Sequence, residues 1–232
     1  MHIPEGALSP QTWGPAYAVM TPIWIIAGRK VRCTVSARAA PLLAIAAAFS
    51  FLIMMFNVPI PFGSTGHATG GVLIALLLGP WAAVLAISVV LTVQAFFFGD
   101  GGVTALGANC LTMAFLMPFV GYAVYRLVAL RTAPGSARSI FAAGLAGYVG
   151  LNVGALVTAV LFGLQPLLAH APDGRPLYFP YGLKMSIIAM SGEHLILFGF
   201  VEAVVTALTY AYLARTEPGL FARPIASAPA EQ

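Results

Sequence analysis

Long apolar runs alternate with short polar segments along almost the whole chain. Most runs reach about 20 residues, the length that a helix needs to cross a bilayer. Glycine, proline and charged residues collect between them, as is typical of loops. The pattern therefore predicts an all-α, polytopic membrane protein. The six runs are residues 13–28, 39–58, 71–98, 104–126, 139–168 and 183–214.

The composition supports this fold class. Hydrophobic residues make up 60% of the 232 positions and charged residues 8%, against about 45–50% and about 25% in soluble domains. Because the apolar runs recur throughout, we predict one membrane-embedded domain, residues 1–214, followed by a cytoplasmic tail, residues 215–232. The net charge of +4 is spread over loops, so it forms no basic patch of the kind that binds nucleic acid.

The basic residues predict the topology. They form three clusters, and the positive-inside rule places all three in the cytoplasm. Basic residues follow the first apolar run and do not precede it, so we expect no cleaved signal, an outer N-terminus and a retained Met1. The clusters are Arg29, Lys30, Arg32 and Arg38; Arg126, Arg131 and Arg138; and Arg215 and Arg223.

The run at 71–98 decides the number of helices. It would be about 42 Å long as one helix, and a single crossing would put the second basic cluster outside. Near its middle lies Gly79-Pro80-Trp81, and proline interrupts the helical hydrogen-bond ladder. We therefore predict two helices of about 20 Å each, too short to cross alone, which return to the outer face. Seven helical segments result, with the N-terminus outside and the C-terminus inside.

The N-terminal "MHIPEG" offers a metal chelate. The Met1 amine, the His2 amide nitrogen and His2 Nδ1 can close one five-membered and one six-membered ring on one cation. A deprotonated amide nitrogen suits planar Ni²⁺ or Cu²⁺ and does not suit Mg²⁺ or Ca²⁺, which prefer oxygen. His67, in the glycine-rich "FGSTGHATGG", is the candidate for the fourth donor, because glycine allows close backbone approach. An ordinary exposed terminus and a hydrogen-bonded loop histidine are the alternatives.

Four other polar residues are candidates for supporting this site. Glu193 and His194 lie near the predicted outer end of the last run and could orient a metal ligand, as outer carboxylates commonly do. A structural hydrogen bond to a neighbouring helix is the alternative for both. Glu5 and Asn109 are candidate supports of the folded N-terminal loop.

Three more polar residues receive structural interpretations. Asp100, in "FGDGG", is expected to form a turn, where Asp and Gly are favoured. His170 is expected in a solvated outer loop. Glu193 and Glu202 are nine residues apart, which is about 900° around a regular helix, so they are expected on opposite faces and not as a pair.

Three motifs carry a resemblance to a known family. "MHIPEG", "NVPIPFGSTGHATGG" at 57–71 and "FFFGDGGVTALGANC" at 96–110 resemble the nickel and cobalt substrate-binding membrane components, NikM and CbiM, of energy-coupling factor transporters. The resemblance implies a square-planar site made of the Met1 amine, the His2 amide and imidazole, and the His67 imidazole. It also implies a bundle of six core helices with one extra N-terminal helix.

The same resemblance implies partners and a location. The chain would capture Ni²⁺ or Co²⁺ at the outer face of a prokaryotic inner membrane for an ATP-driven importer. A membrane coupling protein and cytoplasmic ATPase subunits would drive it, in some members with a small accessory membrane protein. "IPEG" and "TGHATGG" are closer to the nickel branch, and a cobalt-specific component that supplies cobalamin synthesis is the alternative.

The motifs argue against an enzyme. No GxxxxGK[ST] occurs, and the two lysines, Lys30 and Lys184, follow no such pattern, so the chain is not expected to hydrolyse ATP. Ser64 and His67 share a loop with no evident orienting acid and no GxSxG. A stand-alone metal carrier stays open, although the sparse intramembrane charge offers no clear polar path.

Overall fold

The computed structural model describes residues 1–34 and 40–221, and the protein is mostly helical (73%). Seven helical segments are found in the described part of the chain, as predicted. They are α1 (Pro10–Thr34), α2 (Ala40–Met54), α3 (Gly71–Leu78), α4 (Pro80–Phe98), α5 (Leu106–Ala129), α6 (Ala137–Leu168) and α7 (Leu183–Thr216).

Helices α4 to α7 are long and apolar enough to cross a membrane, and α2 is a shorter apolar helix. Large hydrophobic side chains such as Ile196 and Leu208 point away from the protein, with 78% and 65% of their surface exposed. Large exposed apolar surface of this kind marks contact with a membrane or another protein. The multi-pass membrane class predicted from the sequence is therefore confirmed.

The predicted break in the 71–98 run is present. Helix α3 ends at Leu78, Gly79 has φ 89°, and Pro80 begins α4, which is a favoured position for proline. The predicted equal halves are wrong, because the Gly-Pro pair comes only eight residues after Gly71. Helix α4 has 19 residues, about 28 Å, and is long enough to cross by itself.

The 71–98 segment returns to the end of the bundle at which it starts. His2 contacts both His67, just before α3, and Gln94, near the end of α4. Gly79 lies at the opposite end, where it lines a cavity of about 260 Å³ together with Arg126. The doubling-back that the charge pattern predicted is therefore found.

Helix α1 leads from the N-terminal segment towards the Gly79 end. The Tyr17 hydroxyl donates to the Val103 carbonyl oxygen, and Trp24 Nε1, two turns later, donates to Ser88 Oγ at 2.9 Å. The basic residues at the end of α1 therefore lie on the same side of the bundle as Arg126. Arg38, Arg223 and most of the predicted tail, residues 215–232, lie outside the described residues.

Close packing of α6 depends on its glycines. A Cβ on Gly150 would lie 2.8 Å from the Met117 carbonyl oxygen of α5, and one on Gly147 would lie 2.9 Å from Thr206 Oγ1 of α7. Small residues let membrane helices approach in this way. Helix α6 is therefore held tightly between α5 and α7.

Two kinds of irregularity shape the end that holds the N-terminus. A short antiparallel hairpin, β1 (Val58–Pro59) and β2 (Thr65–Gly66), leads the chain to His67. Helices α4, α5 and α7 each contain a π-helical segment, and such segments are frequent at functional sites. They are Gln94–Phe98, Cys110–Leu116 and His194–Phe198.

Candidate metal centre

The N-terminus is inside the protein. Met1 and Ile3 are fully buried and His2 is 2% exposed, whereas chain ends are usually exposed and poorly ordered. This burial excludes the alternative of an ordinary exposed terminus.

Polar contacts on both sides hold the N-terminal segment in place. Asn109 Nδ2 donates to the Ile3 carbonyl oxygen at 3.1 Å, and the Ile3 N–H donates to Asn109 Oδ1 at 2.8 Å. The Gly102 N–H donates to the same Ile3 oxygen at 2.8 Å. Glu5 accepts from the Thr104 hydroxyl at 2.5 Å and from its N–H at 3.1 Å. Asn109 thus contacts the segment that it was predicted to support, and Glu5, which belongs to that segment, binds it to Thr104.

Glycines let the 99–104 loop approach this segment closely. A Cβ on Gly102 would lie 2.7 Å from the Glu5 backbone, and one on Gly101 would lie 3.3 Å from the His2 ring. Gly101 also has φ +93°, a conformation that glycine adopts without strain. The "FGDGG" sequence is therefore needed for packing against the N-terminus as well as for a turn.

The His2 ring is oriented by Gln94. His2 Nε2 lies 3.1 Å from Gln94 Oε1, so Nε2 carries the proton and donates, which leaves Nδ1 with its lone pair. Nδ1 is buried and has no hydrogen-bond partner among the described residues. Asp100 Oδ1 is 3.3 Å from it but not aligned for a hydrogen bond. The unpartnered atom is the nitrogen that the sequence predicted as a ligand.

His67 has the matching arrangement. It is fully buried, and Nδ1 donates to the Ala68 carbonyl oxygen at 3.0 Å. Its Nε2 is buried with no hydrogen-bond partner within the described ranges. The His2 and His67 rings stack with centroids 4.6 Å apart. Buried polar atoms without partners are rare and call for an explanation, and here two such nitrogens belong to adjacent rings.

The Met1 amine lies beside the strand that leads to His67. It donates to the Thr65 carbonyl oxygen and is 3.5 Å from Thr65 Oγ1. The hydroxyl of Ser64, the residue before Thr65, donates to the His2 carbonyl oxygen. The hairpin therefore joins the first two residues to the loop that carries the third candidate ligand.

Burial keeps these nitrogens uncharged. It lowers the pKa of the Met1 amine from 8.0 to about 4, although Asp100 opposes the shift. Burial, and after it the neighbouring Met1 amino group, lower the pKa of His2 from 6.5 to about 3, against the hydrogen bond to Gln94. The pKa of His67 is also well below its ordinary value, for the same two reasons. Neutral nitrogens are the form that binds metal.

Asp100 does more than form the predicted turn. Its N–H donates to the Gln94 carbonyl oxygen at 3.1 Å, and its Oδ2 accepts from Asn57 Nδ2 at 3.1 Å. Burial raises the pKa of Asp100, while the nearby Met1 amine and the hydrogen bond from Asn57 lower it. The net effect is a raised pKa, and the carboxyl group lies next to His2, a proximity that the sequence did not predict.

Glu202 of α7 holds the other side of the His67 loop. It is fully buried, and its carboxylate accepts from the Thr69 N–H at 2.6 Å and the Gly70 N–H at 3.1 Å. These groups lie at the start of α3, where unpaired N–H groups attract an acceptor. Glu193 is only partly buried, so the two glutamates are not a pair, as predicted.

The remaining polar residues considered in the sequence analysis are His194, Glu193 and His170. His194 is fully buried, and its Nδ1 donates to the Met190 carbonyl oxygen at 2.7 Å. The Glu193 carboxylate makes no hydrogen bond or ion pair within residues 1–34 and 40–221. His170 is exposed, as expected for a loop histidine.

The described residues contain no group of three or more His, Cys, Asp and Glu side chains suited to hold a metal ion. A cation bound by His2 and His67 would therefore need donors other than side chains. The adjacent amine and the His2 amide are such donors.

Comparison with known proteins identifies the family. The family model described as "Cobalt uptake substrate-specific transmembrane region", CbiM, matches residues 2–220. The chain belongs to the CbiM family. A cobalt transport protein of this name from Chlorobium limicola is 34% identical over 224 residues, 95% of this chain and 84% of its own.

More similar relatives of this CbiM-family chain are named for nickel. A fused nickel transport protein from Rhodobacter capsulatus is 52% identical over 222 residues, covering 96% of this chain and 64% of the relative. A probable fused nickel transport protein from Lactiplantibacillus plantarum is 50% identical, covering 94% and 66%. The chain thus spans about two thirds of these fused relatives. A crystal structure titled as a truncated transition metal transporter superposes with TM-score 0.89 at 50% identity, covering 93% of this chain and 99% of that one.

Replacing Glu202 tests how the His67 loop is positioned. Glu202→Gln keeps the shape but loses one of the two carboxylate acceptors. We expect nickel affinity to fall by roughly 10–100-fold, the usual effect of losing an outer hydrogen-bond partner. Isothermal titration of the purified protein measures it. Glu193→Gln, nine residues away on the same helix, is the matched control and should leave affinity unchanged. Equal effects of the two substitutions would contradict the role of Glu202.

Proposed function

We propose that this chain is the metal-capturing membrane component of an ATP-driven importer of the energy-coupling factor type, taking up Ni²⁺ or Co²⁺. The observation that carries the proposal is the buried N-terminus, where an uncharged amine lies beside two adjacent imidazoles with unpartnered nitrogens. The family and the relatives named for nickel and cobalt transport support it.

The ligands in this proposal are four nitrogens. The Met1 amine, the His2 amide and His2 Nδ1 form the two fused chelate rings, and His67 Nε2 completes the plane. Gln94 Oε1 and the Ala68 carbonyl oxygen accept hydrogen bonds from the other imidazole nitrogens. The two nitrogens proposed as ligands therefore keep their lone pairs. Outer contacts of this type orient metal-binding histidines in many proteins.

Nickel is the preferred cargo. A planar set of nitrogens that includes a deprotonated amide suits Ni²⁺. The relatives named for nickel are 52% and 50% identical to this chain, whereas the cobalt transport protein is 34% identical. A cobalt-specific component that supplies cobalamin synthesis is the second candidate.

Uphill transport requires partners in this proposal. They are a membrane coupling protein, cytoplasmic ATPase subunits and, in some assemblies, a small accessory membrane protein. The metal centre faces outward from the prokaryotic inner membrane, with the C-terminus inside. This orientation is proposed because Arg126 and the basic residues at the end of α1 lie at the opposite end of the bundle, and clusters of such residues favour the cytoplasm.

Reconstitution into lipid vesicles tests the coupling. The chain alone should bind one Ni²⁺ but should not accumulate it inside vesicles. The chain purified with its coupling and ATPase subunits should accumulate Ni²⁺ only with ATP. Accumulation by the chain alone would indicate a stand-alone carrier, and a chain that binds neither Ni²⁺ nor Co²⁺ would contradict the metal site itself.

The pH dependence of binding tests the ligand types. The pKa values of about 4 for the amine and about 3 for His2 mean that both are already deprotonated between pH 8 and 5. Only the His2 amide must then lose a proton, which goes to the solvent as the metal binds, so acidification weakens binding. We expect the dissociation constant for Ni²⁺ to rise about tenfold per pH unit on going down from pH 8 to 5.

Competition titrations over this pH range measure the slope. A flat profile would contradict ligation by the amide. A rise of about a hundredfold or more per unit would mean that the amine or the imidazoles also carry protons, as they would in an exposed terminus. The His170→Ala variant should give the same slope as the unmodified protein.

A further inference from the structure

The side chain of Met1 is enclosed by the helices of the bundle. No part of Met1 is exposed, and it is one of the largest fully buried side chains in the described part of the chain. A Cβ on Gly154 of α6 would lie 3.5 Å from Met1 Cε, 3.4 Å from the Thr112 carbonyl oxygen and 3.6 Å from Met117 Cβ. Thr112 and Met117 belong to α5. The methyl end of Met1 therefore lies where α5 meets α6, beside a helix position that has no side chain.

The two ends of Met1 contact different elements. Its amine contacts the Thr65 carbonyl oxygen of the hairpin, whereas its methyl group reaches α5 and α6. In the proposed function Met1 is joined to the chain only through His2, so these contacts fix its position. The side-chain contact uses none of the nitrogen donors, and it therefore does not compete with the cation.

Burial of the N-terminus has a free-energy cost. It buries the Met1 amine together with His2 Nδ1, which has no hydrogen-bond partner among the described residues. Polar groups without partners are unfavourable inside a protein. An apolar side chain that is buried in the same step offsets this cost. Met1 provides such burial at the first position of the chelate.

We propose that the Met1 side chain is an anchor: seated against Gly154, it holds the amine, the His2 amide and the His2 imidazole in place before the cation arrives. This inference rests on the proposed function. A preorganised site binds more tightly because the binding step does not have to order the terminus. The side chain of residue 1 therefore determines affinity, although it supplies no ligand in the proposed site.

The first experiment measures the position of the terminus without metal. The full chain is made with a leader that a protease removes, so that the first residue is Met1 or carries Met1→Leu or Met1→Ala. An acylating reagent at neutral pH labels exposed amines, and mass spectrometry locates the label. We expect the Met1→Ala form to be labelled at its first residue about tenfold faster than the unmodified form. Leucine has a similar volume and should protect the amine nearly as well as methionine.

Equal labelling rates of the unmodified and Met1→Ala forms would overturn the proposal. Because no metal is present, that result does not bear on the proposed function.

The second experiment measures Ni²⁺ affinity by competition titration. All three forms offer the same amine, amide and imidazole, so the chelate alone predicts equal affinities. We expect Met1→Ala to lower affinity by about 10–100-fold and Met1→Leu to lower it much less. The absorption band of bound Ni²⁺ should be the same in every form, because the donors are unchanged. Equal affinities, or a shifted band in Met1→Ala, would overturn the proposal. An unmodified form that binds neither Ni²⁺ nor Co²⁺ would instead contradict the proposed function.

The third experiment tests the seat of the side chain with a double-mutant cycle. Gly154→Val places methyl groups in the space of Met1 Cε and should lower the Ni²⁺ affinity of the unmodified form by about tenfold. The same change should affect the Met1→Ala form much less, because the shorter side chain leaves room. Gly28→Val, on α1, is the matched control, since an added Cβ there meets nothing within 4 Å. It should change neither affinity.

The cycle removes any general effect of Gly154→Val on folding, because that effect is common to both forms. Equal losses in the unmodified and Met1→Ala forms would mean that residues 1 and 154 act independently, and would overturn the proposal.

Discussion

One residue added before Met1 is expected to lower nickel affinity by more than about 100-fold. This loss is larger than the one that follows removal of a hydrogen-bond partner of a metal ligand. The added peptide bond converts the Met1 amine into an amide, which has no basic lone pair and could bind the metal only after losing a second backbone proton. The protein also has no room for an additional residue there, because Met1 is fully buried and its amine already contacts the Thr65 carbonyl oxygen. Titration of the purified protein with Ni²⁺ measures the loss.

Two controls separate chemistry from misfolding. The same residue added after Gln232 should leave nickel affinity unchanged. A longer extension that a protease removes, so that Met1 again becomes the first residue, should restore binding to the same sample. Unchanged affinity in the extended protein would mean that the terminal chelate is wrong.

The helices could be predicted because the membrane imposes a simple rule on the sequence. A crossing segment must be apolar over its length and must satisfy its own backbone hydrogen bonds, so each long helix corresponds to an apolar run. Gly79-Pro80 likewise marks a break for local reasons that the sequence shows. The predicted lengths of α3 and α4 were less accurate. The positions of the basic clusters indicate how many times the chain crosses the membrane, but they do not indicate where each helix ends.

The ligands could be predicted in part, for a different reason. The Met1 and His2 chelate is local, so two adjacent residues define most of it. His67 was identified as a rare residue type in a glycine-rich loop, and its stacking on His2 places it as expected. The site roles of these residues stay predictions until metal binding is measured.

The supporting contacts could not be predicted, because they join distant parts of the chain. Gln94 is 92 residues from its partner His2, and Glu202 is 133 residues from Thr69. Glu202 lies within the last apolar run, where an ionisable residue is unusual, yet nothing in the sequence indicates that its partner is a backbone N–H close to His67. Asp100 was explained by its turn, and that local explanation hid its proximity to His2.

His67→Ala is expected to lower nickel affinity by more than about 100-fold, about 2.7 kcal/mol. It removes the fourth in-plane nitrogen and leaves the three donors of Met1 and His2 in place. His67 also stacks on the His2 ring, so its loss frees that ring as well. Isothermal titration gives the affinity, and a thermal unfolding curve with and without metal shows whether the apo protein still folds.

His170→Ala is the matched control, because it removes an exposed histidine from the same protein and should keep full affinity. Free imidazole, added to the His67→Ala protein, should enter the space left by the ring and restore part of the nickel binding. That rescue supplies a nitrogen donor without repairing any packing of the chain. It therefore separates a lost ligand from a displaced loop, since a displaced loop would not respond to imidazole. Retained affinity in His67→Ala would move the fourth donor to another residue. His194 would be the next to replace, because its Nε2 is also buried without a hydrogen-bond partner among the described residues.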